Sequence, residues 1–112
     1  MKPVHFVGSS LEDLRDLPES ARETAGHQLF KAQQGKEPDD WKPVSTVGTG
    51  VQEIRIWDES GTYRLLYVAK FDEAVYVLHA FEKRSQKTAQ SDIQLAKSRY
   101  AELLKWRKEQ HL

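Results

Sequence analysis

The sequence contains no cysteine, which removes disulfides, thiolate zinc fingers and cysteine nucleophiles from consideration. Its apolar runs are only a few residues long, too short to span a bilayer as a helix. Charge of one sign is not in excess either. Seventeen Lys and Arg balance 17 Asp and Glu, which argues against coating nucleic acid by bulk electrostatics. The N-terminal MKPVHFVGSSLEDL has no apolar stretch of signal-peptide length, so the chain is expected to stay in the cytoplasm. His5 and His27 have no partner at metal-ligand spacing; neither a metal nor a cofactor is expected.

What is present is one domain's worth of patterned chain, residues 1–112, long enough for a modest core. Val4, Phe6 and Val7 read as a first strand before Gly8. Ser9-Ser10-Leu11-Glu12 reads as a capping box opening a helix, with Leu11, Leu14 and Leu17 at helical spacing. Pro18 separates it from a second helix whose Ala21, Ala25, Leu29 and Ala32 share a face and which Gly35 closes. Residues 36–50, rich in Pro, Gly and Asp, read as a loop. The period then becomes two. Ile54 and Ile56 fall on one face of a strand, Glu53, Arg55 and Trp57 on the other. A turn at Asp58-Glu59-Ser60-Gly61 leads to a strand with Tyr63, Leu65 and Tyr67 inward and Arg64 and Leu66 opposite. A third strand, Val75 to Phe81, completes an antiparallel meander. A C-terminal helix from about residue 88 carries an apolar stripe of Ile93, Ala96, Tyr100, Leu103 and Leu104, with Arg99 outside it. The order β-α-α-β-β-β-α predicts an α+β domain, with an antiparallel sheet packed on one face against an N-terminal helical hairpin and a C-terminal helix.

The third strand ends in Lys83, Arg84 and Lys87 with the Gln86 amide among them. Such a cluster on a rigid strand suits an anion such as phosphate; it equally fits a solvated charge run. Positive charge is otherwise spread thinly: residues 1–50 hold 6 Lys/Arg against 8 Asp/Glu, residues 51–112 hold 11 against 9. Any nucleic-acid contact must therefore come from local clustering.

The segments Gly50-Val51-Gln52-Glu53-Ile54-Arg55, Gly61-Thr62-Tyr63-Arg64-Leu65-Leu66-Tyr67 and Leu78-His79-Ala80-Phe81-Glu82-Lys83-Arg84-Ser85-Gln86-Lys87-Thr88, in that order on successive strands, resemble the phage-derived HigB-like branch of the RelE/ParE toxins. The resemblance covers most of the chain. It implies the toxin of a type II toxin–antitoxin pair: an endoribonuclease that cleaves messenger RNA, usually on the ribosome, and is neutralised by a cognate helix-turn-helix antitoxin. The ParE branch shares the fold and poisons DNA gyrase without hydrolysis, which is the alternative. The resemblance carries catalytic roles onto Arg55, Arg64, Lys83, Arg84 and Lys87 and a substrate-binding role onto Gln86.

These residue types suit the chemistry. Attack of a 2′-hydroxyl on the neighbouring phosphorus passes through a phosphorane with added negative charge, which fixed guanidinium and ammonium groups stabilise. Arg grips phosphate with two prongs; Lys acts as a point charge or, with a depressed pKa, exchanges a proton. Three further residues have two readings each. His79 shares a face with Phe81 and is either a hydrogen-bonded structural histidine, the favoured reading, or a groove-facing general base. Glu53 is a general base or, as favoured, the member of an ion pair. Trp57 stacks an RNA base or packs at the core edge, with packing favoured. Trp41 and Trp106 read as packing or partner-binding residues. Truncating Arg64, or Lys83 together with Arg84, is expected to cost little core burial, within about 1 kcal/mol of stability for exposed side chains, and to remove toxicity without unfolding the domain.

Overall fold

The computed structural model of the protein describes residues 1–112. Strand β1 (Val4–Phe6) leads into helices α1 (Ser10–Arg15) and α2 (Glu19–Gln33). Strands β2 (Trp41–Pro43), β3 (Val51–Asp58), β4 (Gly61–Val68) and β5 (Val75–Glu82) follow, and helix α3 (Gln90–Glu109) ends the fold. The three long strands form the expected meander, within a five-stranded sheet of order β1-β5-β4-β3-β2. Two edges refine the expectation. β1 lies parallel to β5, pairing Val4 with Val75 and Phe6 with Val77, so the sheet is mixed. The residues that read as loop contribute β2, antiparallel to β3 with Trp41 opposite Ile54. Pro43 obscures that strand in the sequence, and it is tolerated because β2 is an edge.

The helices cover both faces of the sheet instead of one. Ala21, Ala25, Leu29 and Ala32 of α2 pack on Ile54, Ile56, Leu65, Tyr67, Val75 and Val77. On the far side Ala96, Tyr100 and Leu103 of α3 pack on Val51, Leu66, Val68 and Leu78. The physical reason is visible in β4, where Tyr63 through Val68 are all buried. A strand buried on both faces reads as a near-continuous apolar run and needs a cover on each side. Leu104 falls off the α3 stripe and stays 42% exposed. Arg99, expected outside it, is buried at 6%.

A bulge in β5 sets the direction of everything after it. Leu66 pairs with His79 but Tyr67 pairs with Val77, leaving Leu78 as the extra residue. Side-chain alternation is thereby shifted by one. Val77 faces α2, whereas His79 and Phe81 are stacked 4.8 Å apart with Phe81 on the α3 side. Without the bulge the end of β5 would present the opposite set of side chains.

Ser9 is the N-cap of α1, yet its hydroxyl makes no capping bond; it accepts from Arg99 Nη2 at 2.7 Å instead. The expected capping box is therefore not formed, because a buried guanidinium takes its oxygen. Gly35 ends α2 with φ +80°, the left-handed position that glycine favours.

The far half of α3 is clamped to the β4–β5 turn. Arg107 Nε and Nη2 donate to the two Glu73 oxygens at 2.6 and 3.1 Å, and the Tyr76 hydroxyl donates to Glu73 Oε2 at 2.7 Å. The Arg107 guanidinium also lies 3.6 Å from the centre of the Phe71 ring. Arg107 above all holds the Glu73 carboxyl down at about 2. A carboxylate with a depressed native pKa stabilises above its ordinary range and loses that contribution as pH falls through the native value. Glu73→Gln should therefore cost about 1–2 kcal/mol at pH 7. The gap to the wild type should close between about pH 4.5 and pH 2, read by urea melts across pH; a gap that persists at pH 2 contradicts the clamp.

Candidate active site

α3 covers only part of its sheet face. Past the covered row Glu53–Leu66–His79, the sheet face continues in two further cross-strand rows, Arg55–Arg64–Phe81 and Trp57–Thr62–Lys83. Their polar members alternate with Ile54, Ile56, Tyr63 and Leu65, whose side chains go to the α2 core. Lys83 is tied to Thr62 by its amide (2.8 Å) and by the Thr62 hydroxyl, which donates to the Lys83 carbonyl at 3.1 Å. Trp57, Thr62, Arg64, Lys83, Arg84, Ser85 and Gln86 line an open groove of about 500 Å³.

The groove floor is an ion pair. Arg64 Nε lies 2.5 Å from Glu53 Oε1, with side chains only 8% and 3% exposed. Arg64 Nη1 donates to the Tyr63 carbonyl at 3.1 Å, and its guanidinium stands 5.5 Å from the centre of the Trp57 ring. Glu53 has a second, longer cation in Lys42 Nζ at 3.9 Å. The expectation that truncating Arg64 costs little burial fails, since Arg64 is 6% exposed. Removing it would leave Glu53 charged and buried, a loss that costs about 3–5 kcal/mol.

Arg55 is half-buried, its Nε 3.7 Å from Asp40 Oδ1. Arg84 is exposed and pairs with Glu82 at 3.1 Å. Lys83 has no carboxylate partner, and its ammonium is held below the ordinary lysine value by burial first and by the Arg64 charge next. Gln86 lines the groove. Lys87 is exposed on the following turn and lies outside the lining. Trp57 does not pack at the core edge: it is 62% exposed, with its indole N–H donating to Asp40 Oδ2 at 2.6 Å.

His79 does not reach the groove. It is 5% exposed, with Nδ1 3.2 Å from Asp13 Oδ2 and Nε2 2.7 Å from Asp92 Oδ1. Arg99 Nη1 donates to Asp13 at 2.6 Å and to the Leu78 carbonyl at 2.9 Å. This buried network ties α1 and the first turn of α3 to β5. It encloses His79 as a hydrogen-bonded buried histidine, the favoured of its two readings, and keeps it out of the groove, because α1 and α3 bring carboxylates over both ring nitrogens. Asp40, Thr62, Asp13, Asp92 and Arg99 were missed in the sequence. Asp40 sits in what reads as a loop, and Arg99 in what reads as a solvated helix face.

The phage-derived protein Gp49-like family matches residues 12–101. The chain belongs to that family. Its fold is that of RelE: the structure of a double arginine-to-alanine variant of the E. coli toxin RelE in the free state superposes with a TM-score of 0.62. That match covers 90% of this chain and 96% of RelE at 17% identity. No curated protein matches the sequence. The resemblance read from three strand motifs thus holds for the fold, which is RelE-like, and for the phage-derived family, and this Gp49-like chain presents its cationic groove on that fold.

His79→Gln should remove one of two buried contacts and lower stability by about 1–3 kcal/mol. The activity per folded molecule should stay near that of the wild type. An unchanged melting temperature with a rate loss of about a hundredfold, the scale of general acid–base catalysis, contradicts the structural assignment.

Proposed function

We propose that the protein is the toxin of a type II toxin–antitoxin pair and that it cuts messenger RNA, on the ribosome, as a metal-free endoribonuclease. The single observation that supports this best is the groove itself: a buried, preoriented guanidinium beside a partly buried lysine that has no acid to neutralise it. In the free protein Glu53, Asp40 and Glu82 stand beside Arg64, Arg55 and Arg84. Lys83 alone among the groove cations is left to meet an incoming anion.

The reaction forms a bond from the 2′-oxygen to phosphorus, the 2′-hydroxyl giving up its proton to solvent water in the open groove, and breaks the bond to the 5′-oxygen, which must gain a proton as it leaves. Arg64 Nε faces Glu53 in an ion pair and Nη1 donates to the Tyr63 carbonyl; Nη2 contacts a phosphorane oxygen, with Arg55 and Arg84 flanking it. A guanidinium fixed before substrate arrives needs no reorganisation at the moment of reaction. Lys83, more acidic than an ordinary lysine, supplies the proton to the leaving oxygen. Glu53 is engaged by Arg64 and serves as its anchor, not as a base. Gln86 and Lys87 extend the contact along the turn that follows β5. A helix-turn-helix antitoxin would neutralise the toxin in the cytoplasm by covering this groove, since an acidic segment is steered to concentrated positive charge.

Arg64→Lys keeps a cation on Glu53 but loses the planar fork. It should melt within a few degrees of the wild type and lower mRNA cleavage by a hundredfold or more; full growth arrest by a folded variant would overturn the assignment. Lys83→Arg should retain RNA affinity and lose about a hundredfold in kcat. In the wild type, kcat should fall as pH rises through the lowered Lys83 value, below the ordinary lysine range, and Lys83→Arg should abolish that alkaline limb. An identical limb in the variant removes Lys83 from proton transfer.

A further inference from the structure

The Gp49-like chain carries two consecutive aspartates, Asp39 and Asp40, that splay in opposite directions ahead of β2. Asp39 is bound to α2: its amide donates to Gln28 Oε1 at 2.7 Å, its Oδ2 accepts from Gln28 Nε2 at 3.0 Å, and Oδ1 pairs with Lys31. Asp40 turns to β3. Its carbonyl accepts from the Arg55 amide at 2.9 Å, its Oδ2 from the Trp57 indole at 2.6 Å, and its Oδ1 lies 3.7 Å from Arg55 Nε. One residue therefore fixes a backbone point on β3, the Trp57 ring that lines the groove and the Arg55 side chain next to it.

An exposed tryptophan on a strand is ordinarily free to change rotamer, and holding it in one orientation costs side-chain entropy. Here the ring is held from two sides, by the Asp40 carboxylate at its N–H and by the Arg64 guanidinium across its face. A large apolar ring kept 62% exposed and locked beside a cationic groove is a platform prepared before its ligand arrives. The ligand that matches is an unpaired base, whose π-face stacks on the indole while its phosphate enters the groove.

We infer that Asp40 is a positioning residue for RNA: through its hydrogen bond to Trp57 and its pairing with Arg55, it presets a stacking platform for a base next to the scissile phosphate. This rests on the reading of the groove as an RNA site. It predicts a division between binding and chemistry. Loss of the platform weakens substrate affinity and leaves the reacting groups, Arg64 and Lys83, in place. It also predicts a division between two substitutions, because Asn still accepts from the indole but no longer pairs with Arg55.

The test compares wild type, Asp40→Asn, Asp40→Ala, Trp57→Ala and the Asp40→Ala/Trp57→Ala double variant on one ribosome-bound messenger RNA. The Trp57 indole resonance is followed by ¹H–¹⁵N NMR in the free proteins. Asp40→Ala should move or broaden that resonance and raise KM about tenfold, within the range of base–aromatic stacking, with kcat inside twofold. Trp57→Ala should do the same to KM, and the double variant should add little more. Asp40→Asn should keep the indole resonance and raise KM less. A wild-type KM in Asp40→Ala overturns the inference, as does a loss in kcat alone or full additivity in the double variant. If the wild type does not engage RNA at all, the reading of the groove falls and the inference with it. The indole resonance of the free proteins separates that failure from a failure of the Asp40 lock.

Discussion

The pairing of Glu53 with Arg64 is the constraint around which the rest of the site is arranged. Neither charge is tolerable alone at this depth, where a single uncompensated ion costs several kcal/mol. Together they form a floor of fixed geometry at the centre of the sheet, reached by strand pairing alone: Glu53 lies opposite Leu66, and Arg64 opposite Arg55. A guanidinium anchored in this way keeps a nitrogen for an external anion while its position is fixed by the fold. Burial first, and the fixed Arg64 charge next, make Lys83 hold its proton less firmly than an ordinary lysine.

Two features of the sheet make that floor accessible. α3 crosses its face far enough to bury Val51, Leu66 and Val68 but leaves the Arg55, Trp57 and Lys83 end open. The bulge at Leu78 turns the last third of β5 so that Phe81 and Lys83 join the Arg64 side. The His79 network then fastens the start of α3 at Asp92, so the cationic segment 83–89 is strung between a strand end and a pinned helix. Packing, register and electrostatics converge on a groove that is formed before a substrate binds.

Much of this was legible in the chain. Alternation placed Glu53, Arg55 and Trp57 together and opposed Arg64 to Tyr63 and Leu65, because strand period follows directly from backbone geometry. The RelE-like order of elements could be read for the same reason. What the sequence hid were long-range pairings. Nothing local to Arg99 reveals that Asp13, 86 positions earlier in the chain, waits to bury it. β2 was concealed by Pro43, and the parallel pairing of β1 by its distance from β5. Trp57 was misjudged because size and apolarity predict burial, whereas a neighbouring aspartate and arginine hold it in the open. His79 went the other way: its face was read correctly, but the two carboxylates that enclose it come from separate helices.

The central claim is that this groove acts on messenger RNA, and the most direct measurement is the order in which synthesis stops after induction in cells. Pulse labelling with an amino acid and with thymidine, coupled to mapping of new RNA 5′ ends, reads it. The account predicts that amino-acid incorporation falls first, with new 5′ ends inside coding regions that vanish for Arg64→Lys. Arrest of thymidine incorporation first, with messenger RNA intact, would contradict it and point to a poison of DNA gyrase on the same fold.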